Sequence, residues 1–406
     1  MSYIVNIKKK KLILRNNKLN SENNDNCILA KKLYIINSKK TFQINRSNIL
    51  KNILISKGWK EGNKYDDIDF SYYDSYNNDK GLNAKIMVIP RKITNVIDDK
   101  KSMHITLLKN NYNYFLPKTY TDLKNINPDI FTENNNFFLK KSYSSGGRDV
   151  FLINTIDKMN EIIDNKYSQY ILQEEVPNML LYNGFKSTLR VYMLLTEKKE
   201  IYVHKDILGI IHNTKYNNKS SDVNIHINHN NVKYYNLKEL NDYDNIFKKI
   251  KDILFLTIRS FIIHTNINKN NYIILGTDFI LDNNNNPYLI EINAYPNFWY
   301  EDKIELSIKN NVLTDFVNLY IEPRINNTEP KQGEWILCNP LYDTTWSYKI
   351  MNLELEKNLY KHVNNYDLFK NNSIILSPNY FSKNIYKNNN SVNYLNKKAV
   401  SIVDNR

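Results

Sequence analysis

Residues 276–296 read GTDFILDNNNNPYLIEINAYP, and this stretch decides the fold. Two short apolar runs flank an Asn-rich turn. Phe279, Ile280 and Leu281 lead into Asp282, and Tyr288, Leu289 and Ile290 run into Glu291, Ile292 and Asn293. Apolar runs bounded by Asn and Pro predict a β-hairpin. Side chains alternate across a strand, so Glu291 and Asn293 share one face while Ile290 and Ile292 point into the core. Asp278, near the start of the paired strand, is placed to face them. Two carboxylates and an amide oxygen make a hard, all-oxygen site of the kind that Mg2+ prefers and shares with nucleotide phosphates. The competing reading is a solvated hairpin face carrying ordinary acidic residues.

The 406 residues, 42% of them hydrophobic, suffice for two or three cored domains and describe a globular chain. Tyr is frequent, at 31, and Asn and Lys are abundant, a bias that fits an AT-rich genome. Single Asn and Lys residues therefore carry little functional weight. The net charge of +14 attracts acidic partners: nucleic acid, an anionic membrane surface or an acidic protein tail. The sequence shows no zinc finger, RNA-binding aromatic motif or basic heptad region, which argues against nucleic acid. Cys27 and Cys338 make neither a disulfide framework nor a zinc site, and a reducing compartment is expected. The N-terminal residues lack the apolar run and cleavage site of a signal peptide, and no run of about 18 apolar residues predicts a membrane span. A cytoplasmic location is the expectation.

Working outward, the chain divides into a small N-terminal α/β domain (1–89), a central region (90–178), a region holding the hairpin (179–325) and a C-terminal extension (326–406). In the first, IVNI, KLIL and LYIIN are strand-like, and 45–59 (NRSNILKNILISKGW) has helical apolar spacing at Ile49, Leu50, Ile53, Leu54 and Ile55, stopped by Gly58. Asp66 to Asp79 reads as loop and 84–90 as strand. Further on, Phe137–Leu139 and Val150–Ile153 form a hairpin, Ile156–Asn165 a short helix, and Tyr170–Gln173 a strand. Next come the long strand LRVYMLLT and another at Ile201–His204. Thr214 to Asn230 reads as polar and mobile. The strongest helix covers 247–264, with an apolar stripe at Ile250, Ile253, Leu254, Ile258, Phe261 and Ile262 that packs in the core. Thr314–Ile321 is helix-like.

Three further stretches carry chemistry. Ser144-Ser145-Gly146-Gly147-Arg148-Asp149 joins two strands; glycine lets backbone amides approach phosphate, although a Gly-Gly turn is most simply a turn. Lys140, at the end of the preceding buried strand, can hold a phosphate as a point charge. Gln173-Glu174-Glu175-Val176-Pro177 offers apolar and backbone groups at a domain crossing where a purine fits. Lys186, Thr188 and Arg190 share one strand face, suited to phosphate or carboxylate, or simply to solvent at a sheet edge.

Taken together and in this order, these stretches resemble the tubulin tyrosine ligase-like family, whose members have an ATP-grasp fold. The resemblance covers roughly 48–322. ILISKGW, IPRKITNVIDDKKSMHITLLKN and FLPKTY are similar to the family's N-terminal pattern. FFLKKSYSSGGRDV resembles its strand and glycine loop, and LQEEVPNMLLYNGFKSTLRVYMLLT its Gln-Lys-Tyr-Ile segment followed by Lys-Phe-Asp-Leu-Arg. GTDFILDNNNNPYLIEINAYPNF is similar to its metal-binding signature, the most specific match.

The resemblance implies an α+β protein with two subdomains clasping ATP and Mg2+. Lys140 and Lys186 would bind phosphates, and Gly146, Gly147 and Arg148 would belong to the phosphate loop. Gln173, with Glu174, Glu175 and Val176, would border the adenine. Arg190 and Lys186 would serve the transferred phosphate or substrate. Asp278, Glu291 and Asn293 would hold Mg2+. Asn228, in IHINH, lines up with the Asn of a His-Leu-Thr-Asn stretch. The implied activity joins an amino acid (glutamate, glycine or tyrosine) to a protein carboxylate, with the acidic tail of tubulin among the acceptors.

The sequence also departs from the pattern. Asp149 replaces a loop glycine, Lys141 a proline and Thr188 an aspartate. Ile210 and Ile211 stand where an arginine for the substrate carboxylate is expected, leaving Lys205 or Lys215 as substitutes. These departures motivate the alternative of a nucleotide-binding protein that has lost turnover and docks an acidic partner.

Overall fold

The structure is a computed structural model that describes residues 2–7, 10–15, 40–44, 47–62, 67–72, 84–132, 135–144, 149–227, 231–262 and 265–338. The run LYIIN, the glycine-loop residues Gly146, Gly147 and Arg148, and Asn228 lie outside them.

The strand Phe185–Thr196 is the spine of the larger sheet. It is flanked antiparallel by Asn271–Leu281 on one side and Leu208–Lys215 on the other. Val191 to Leu195 are buried without alternation, the pattern of a strand covered on both faces. Beyond Asn271–Leu281 the sheet continues into parallel strands Ala84–Val88, Ile68–Tyr72 and Thr41–Ile44. The strands within 41–88 and those of the hairpin region thus form one sheet, sharing a core that includes Phe42, Phe70, Tyr192, Tyr272 and Phe316, whereas Ser2–Ile7 and Lys10–Arg15 pair in a separate two-stranded sheet. A second, four-stranded sheet orders Thr119–Tyr120, Tyr170–Glu174, Phe137–Lys141 and Val150–Ile153, all antiparallel. It has its own core of Leu123, Phe137, Leu139, Met159, Ile163 and Leu172.

The expected hairpin forms between Asn271–Leu281 and Pro287–Asn293. The Asp282 carboxylate folds its turn, accepting from the Asn284 and Asn286 amides at 2.9 and 2.8 Å, an Asx-type turn. The expected long helix runs over Tyr243–Ile262 with Ile250, Ile253, Leu254 and Ile258 buried. The first helix spans Asn48–Ser56, capped by Ser47 and followed by Gly58 at φ +81°. Its Ile55 is 50% exposed and leaves the apolar stripe.

Two expectations are corrected and one helix is added. Ile68–Tyr72 is a strand and not a loop, because Ile68, Phe70 and Tyr72 alternate into the core. A helix at Arg91–Asp98 was not among the expected elements, although Ile93, Val96 and Ile97 recur in it at helical spacing. The stretch read as polar and mobile contains the end of the strand Leu208–Lys215 and a helical turn, Val223–His226, with His226 buried. Trp335 packs fully buried on a strand, Trp335–Leu337, that pairs with Ile201–His204. Among the described residues no helix is long and apolar enough to cross a membrane.

Candidate active site

A cleft lined from both sheets holds about 1050 Å3 of empty space, part of it open to solvent. Lys140, Gln173, Glu174, Glu175, Val176, Lys186, Thr188, Arg190, Asp278 and Glu291 line it, with Lys100, Phe138, Ile210, His212 and His226. Alternation along Phe185–Thr196 sets Lys186, Thr188 and Arg190 on the cleft face. The same alternation sends Ser187 to the opposite face, where its Oγ lies 3.1 Å from the Tyr235 hydroxyl.

Register then assembles the acidic cluster: Arg190 stands opposite Asp278, and Asp278 opposite Glu291. The ladder slips after Asp278, so that Phe279 pairs with Leu289 and Ile290 becomes the extra residue of a bulge. Ile290 therefore faces the cleft beside Glu291. Strict alternation had placed Ile290 in the core; Leu289 and Ile292 are the buried residues. Gly276 matters here because a Cβ on it would meet Pro296 at 2.8 Å and the Arg190 Cδ at 3.2 Å.

Arg190 grips Asp278 with both arms, Nε to Oδ1 at 2.5 Å and Nη2 to Oδ2 at 3.0 Å. Asn293 Nδ2 donates to Asp278 Oδ2 at 3.2 Å and to Glu291 Oε1 at 3.3 Å. Lys100 Nζ sits 3.1 Å from Glu291 Oε2 and donates to the Ser144 carbonyl at 2.7 Å, tying the acids to the base of the glycine loop. Lys100 lies within the stretch IPRKITNVIDDKKSMHITLLKN, where nothing local tells which lysine turns inward. The loop base is fixed further by Ser142, whose Oγ donates to Asp99 Oδ2 at 2.5 Å. Asp149, at the position of a family glycine, takes φ +55°, a left-handed backbone that Asp tolerates better than most residues.

On the other wall Lys140 Nζ donates to Gln173 Oε1 at 2.6 Å. The Gln173 amide donates to Thr119 Oγ1 at 2.9 Å and reaches His104 Nε2 at 3.2 Å. Lys140 and Lys186 both stand over the Phe138 ring, at 5.8 and 4.9 Å from its centroid. Lys186 pairs with Glu175 Oε1 at 3.1 Å.

Burial governs the charges. It pushes the Lys140 ammonium down to about 8, partly opposed by Glu291 and reinforced by Lys100 and Lys186. Burial, Lys140 and Lys100 push His104 down to about 3, so its ring is neutral and can accept from Gln173. Burial, with the Glu291 carboxylate adding, raises Asp278 above the ordinary carboxylate range despite the pull of Arg190. Burial also opposes ionisation of Glu291, but Lys100 and Lys140 outweigh it and hold that carboxyl below its ordinary range. In this structure Arg190 and Lys100 supply the counter-charge to these two adjacent buried carboxylates.

With Arg190 and Lys100 drawn off to phosphate oxygens, the two carboxylates would be free to hold a divalent cation. Among the described residues no group of three His, Cys, Asp or Glu side chains is placed to hold a metal. Asp278, Glu291 and Asn293 offer two carboxylates and an amide. Asn293 Nδ2 lies 3.2 Å from Asp278 Oδ2 and 3.3 Å from Glu291 Oε1, so the three side chains that would hold the ion converge on one point. Turning the Asn293 amide over would present its oxygen, an assignment that hydrogen bonding alone decides.

The family model of the Tubulin-tyrosine ligase family matches residues 77–254 and 234–330, together well over half of the chain. Among curated relatives, Tubulin glycylase 3B of Tetrahymena thermophila is 25% identical over 211 residues, which is 44% of this chain and 17% of that protein. A probable tubulin–tyrosine ligase of Schizosaccharomyces pombe is 25% identical, covering 42% of this chain and 46% of its own length. A probable alpha-tubulin polyglutamylase of Tetrahymena thermophila is 24% identical, covering 47% and 55%. The chain thus spans from about a sixth to about half of the length of these relatives. Among solved structures, the C-terminal domain of K. lactis Pby1 superposes with a TM-score of 0.53 at 15% identity, over 74% of this chain and 98% of that one. It is described as an ATP-grasp enzyme interacting with the mRNA decapping enzyme Dcp2. The fold is the ATP-grasp fold in its α+β form, and the chain belongs to the tubulin-tyrosine ligase family.

Proposed function

We propose that this protein is an ATP-dependent carboxylate–amine ligase that adds an amino acid to a protein carboxylate. The observation that carries this reading is the convergence of Lys100, Lys140, Lys186 and Arg190 with Asp278 and Glu291 on one cleft between two sheets. A triphosphate meeting a carboxylate is a concentration of negative charge, and positioned cations are the catalysis it needs.

In this reading a carboxylate oxygen of the acceptor attacks the γ-phosphorus of ATP. The bond from that phosphorus to the bridging oxygen breaks, ADP leaves, and an acyl phosphate forms. The amino-acid amine then attacks the acyl carbon, inorganic phosphate leaves, and the amine gives up a proton. Lys140 and Lys186 bind phosphate oxygens, and Phe138 provides an apolar floor beneath both ammonium groups. Lys100 bridges the glycine-loop base and the acids. Arg190 faces the transferred phosphate or the acceptor. Gln173 to Val176 border the base. Asp278, Glu291 and Asn293 are the residues that hold Mg2+, which when bound supplies neutralising charge to the phosphate oxygens. No covalent nucleophile is required.

The names of the relatives support tubulin as acceptor, and the +14 charge is compatible with an acidic tail, through an attraction that salt weakens. A cytoplasmic location belongs to the same reading. The test is to incubate the full chain with ATP, Mg2+, tubulin and, in turn, labelled glutamate, glycine or tyrosine. ADP release with label in tubulin is expected from one of the three. Neither release nor incorporation would reject the ligase. A second reading has its own observation: Thr188 and Ile210, paired across the sheet and both lining the cleft, leave it uncharged where a substrate-gripping arginine is expected. ATP binding in a calorimeter without turnover would favour that non-catalytic form.

A further inference from the structure

Glu175 does more than border a base. Its position corresponds to the tyrosine of the Gln-Lys-Tyr-Ile segment that the sequence resembles, and its carboxylate is 10% exposed. Four groups from four different places surround it. Lys186 Nζ, from the spine of the large sheet, is 3.1 Å from Oε1. Asn136 Nδ2, just before the strand Phe137–Lys141 of the four-stranded sheet, donates to Oε2 at 2.7 Å. The Tyr216 hydroxyl donates to Oε2 at 2.7 Å. His226 donates from Nε2 to the Ser220 carbonyl at 2.8 Å, which turns its Nδ1 toward Glu175 Oε1 at 3.5 Å.

A buried ammonium without a counter-charge loses its proton or its place. Lys186 is 5% exposed, and its neighbours in the cleft are the Phe138 ring and a second cation, Lys140. Burial lowers its pKa, and Glu175 is the group that opposes the fall. Glu175 itself is held ionised: burial works against it, but Lys186 and the Asn136 and Tyr216 donors hold its carboxyl well below the ordinary range.

We propose that Glu175 is a positioning residue for nucleotide phosphate: it keeps Lys186 charged and aimed into the cleft, and does so by drawing both sheets and the Tyr216–Ile227 segment onto one carboxylate. This rests on the reading of the cleft as a nucleotide site. Glu175 does not touch the nucleotide phosphates; it acts through Lys186.

The test uses the full chain and calorimetric binding of MgATP and of adenosine from pH 6.5 to 9. Wild type that binds neither rejects the nucleotide reading itself and leaves nothing for Glu175 to position. Given binding, Glu175→Gln should weaken MgATP about tenfold at pH 7.5 and adenosine less than threefold. Its MgATP profile should also fall at lower pH than that of wild type, because an unpaired Lys186 loses its proton sooner. In a Lys186→Met background, Glu175→Gln should cost less than twofold further, the non-additivity of residues acting as one unit. Additive losses, or an unmoved pH profile, would overturn the proposal and leave Glu175 a structural tie. Tyr216→Phe keeps the carboxylate and removes one donor. It guards against a Glu175 variant that fails to fold, and a loss in MgATP binding beyond threefold in this variant would also count against the proposal.

Discussion

The two walls of the cleft treat their cations differently. On the large-sheet side Arg190 is locked by Asp278, and Lys100, from the neighbouring helix, by Glu291. On the four-stranded side Lys140 is held by a neutral amide, Gln173, and an aromatic ring. A unit-charge pair about 4 Å apart gains roughly 4 kcal/mol at an effective dielectric of 20, and desolvating each ion costs several. The paired wall is therefore close to balance and can exchange partners when a divalent ion and phosphates arrive. Burial lowers the pKa of Lys140, and it gains most from an incoming phosphate.

Removing an acid from the paired wall should have the largest effect. Glu291→Ala deletes a proposed metal ligand and the carboxylate partner of Lys100, so ADP formation should fall roughly 10³-fold, measured by a coupled ADP assay. Activity within tenfold of wild type would remove this wall from the chemistry. Next, Lys140→Met should raise the calorimetric Kd for MgATP by an amount worth about 2 kcal/mol, the scale of a hydrogen bond to a charged group. An unchanged Kd would show that the walls do not differ in this way.

The pH dependence sharpens the contrast further. Lys140 is charged below about 8 and neutral above it. Phosphate binding needs the charge, so MgATP affinity should fall about tenfold between pH 7 and 9, with proton uptake on binding near pH 8. Lys140→Arg, which stays charged, should flatten that profile. The smallest effect lies away from the cleft. Asp282→Ala opens the hairpin turn that aligns the acids and should lower stability by about 1 kcal/mol in urea unfolding, with little change in nucleotide affinity.

The sequence carried the hairpin because its signals are local: alternating apolar residues, an Asp-Asn turn and a closing Pro. It carried the cation face of Lys186, Thr188 and Arg190 for the same reason, since strand alternation is a property of the backbone. It misled at Ile290, where a bulge shifts the register by one residue, and at Ile68–Tyr72, where composition hid the alternation.

What the amino-acid order determined by itself, then, is the set of chemical groups and the faces they occupy along each strand. Which partners meet was decided only by tertiary structure. Lys100 reaches Glu291 from a helix 191 positions earlier in the chain, and Glu175 gathers Asn136, Lys186, Tyr216 and His226 from separate elements. Charge pairing acts through space and through the exclusion of water, and neither distance nor burial is written in the order of residues along a chain.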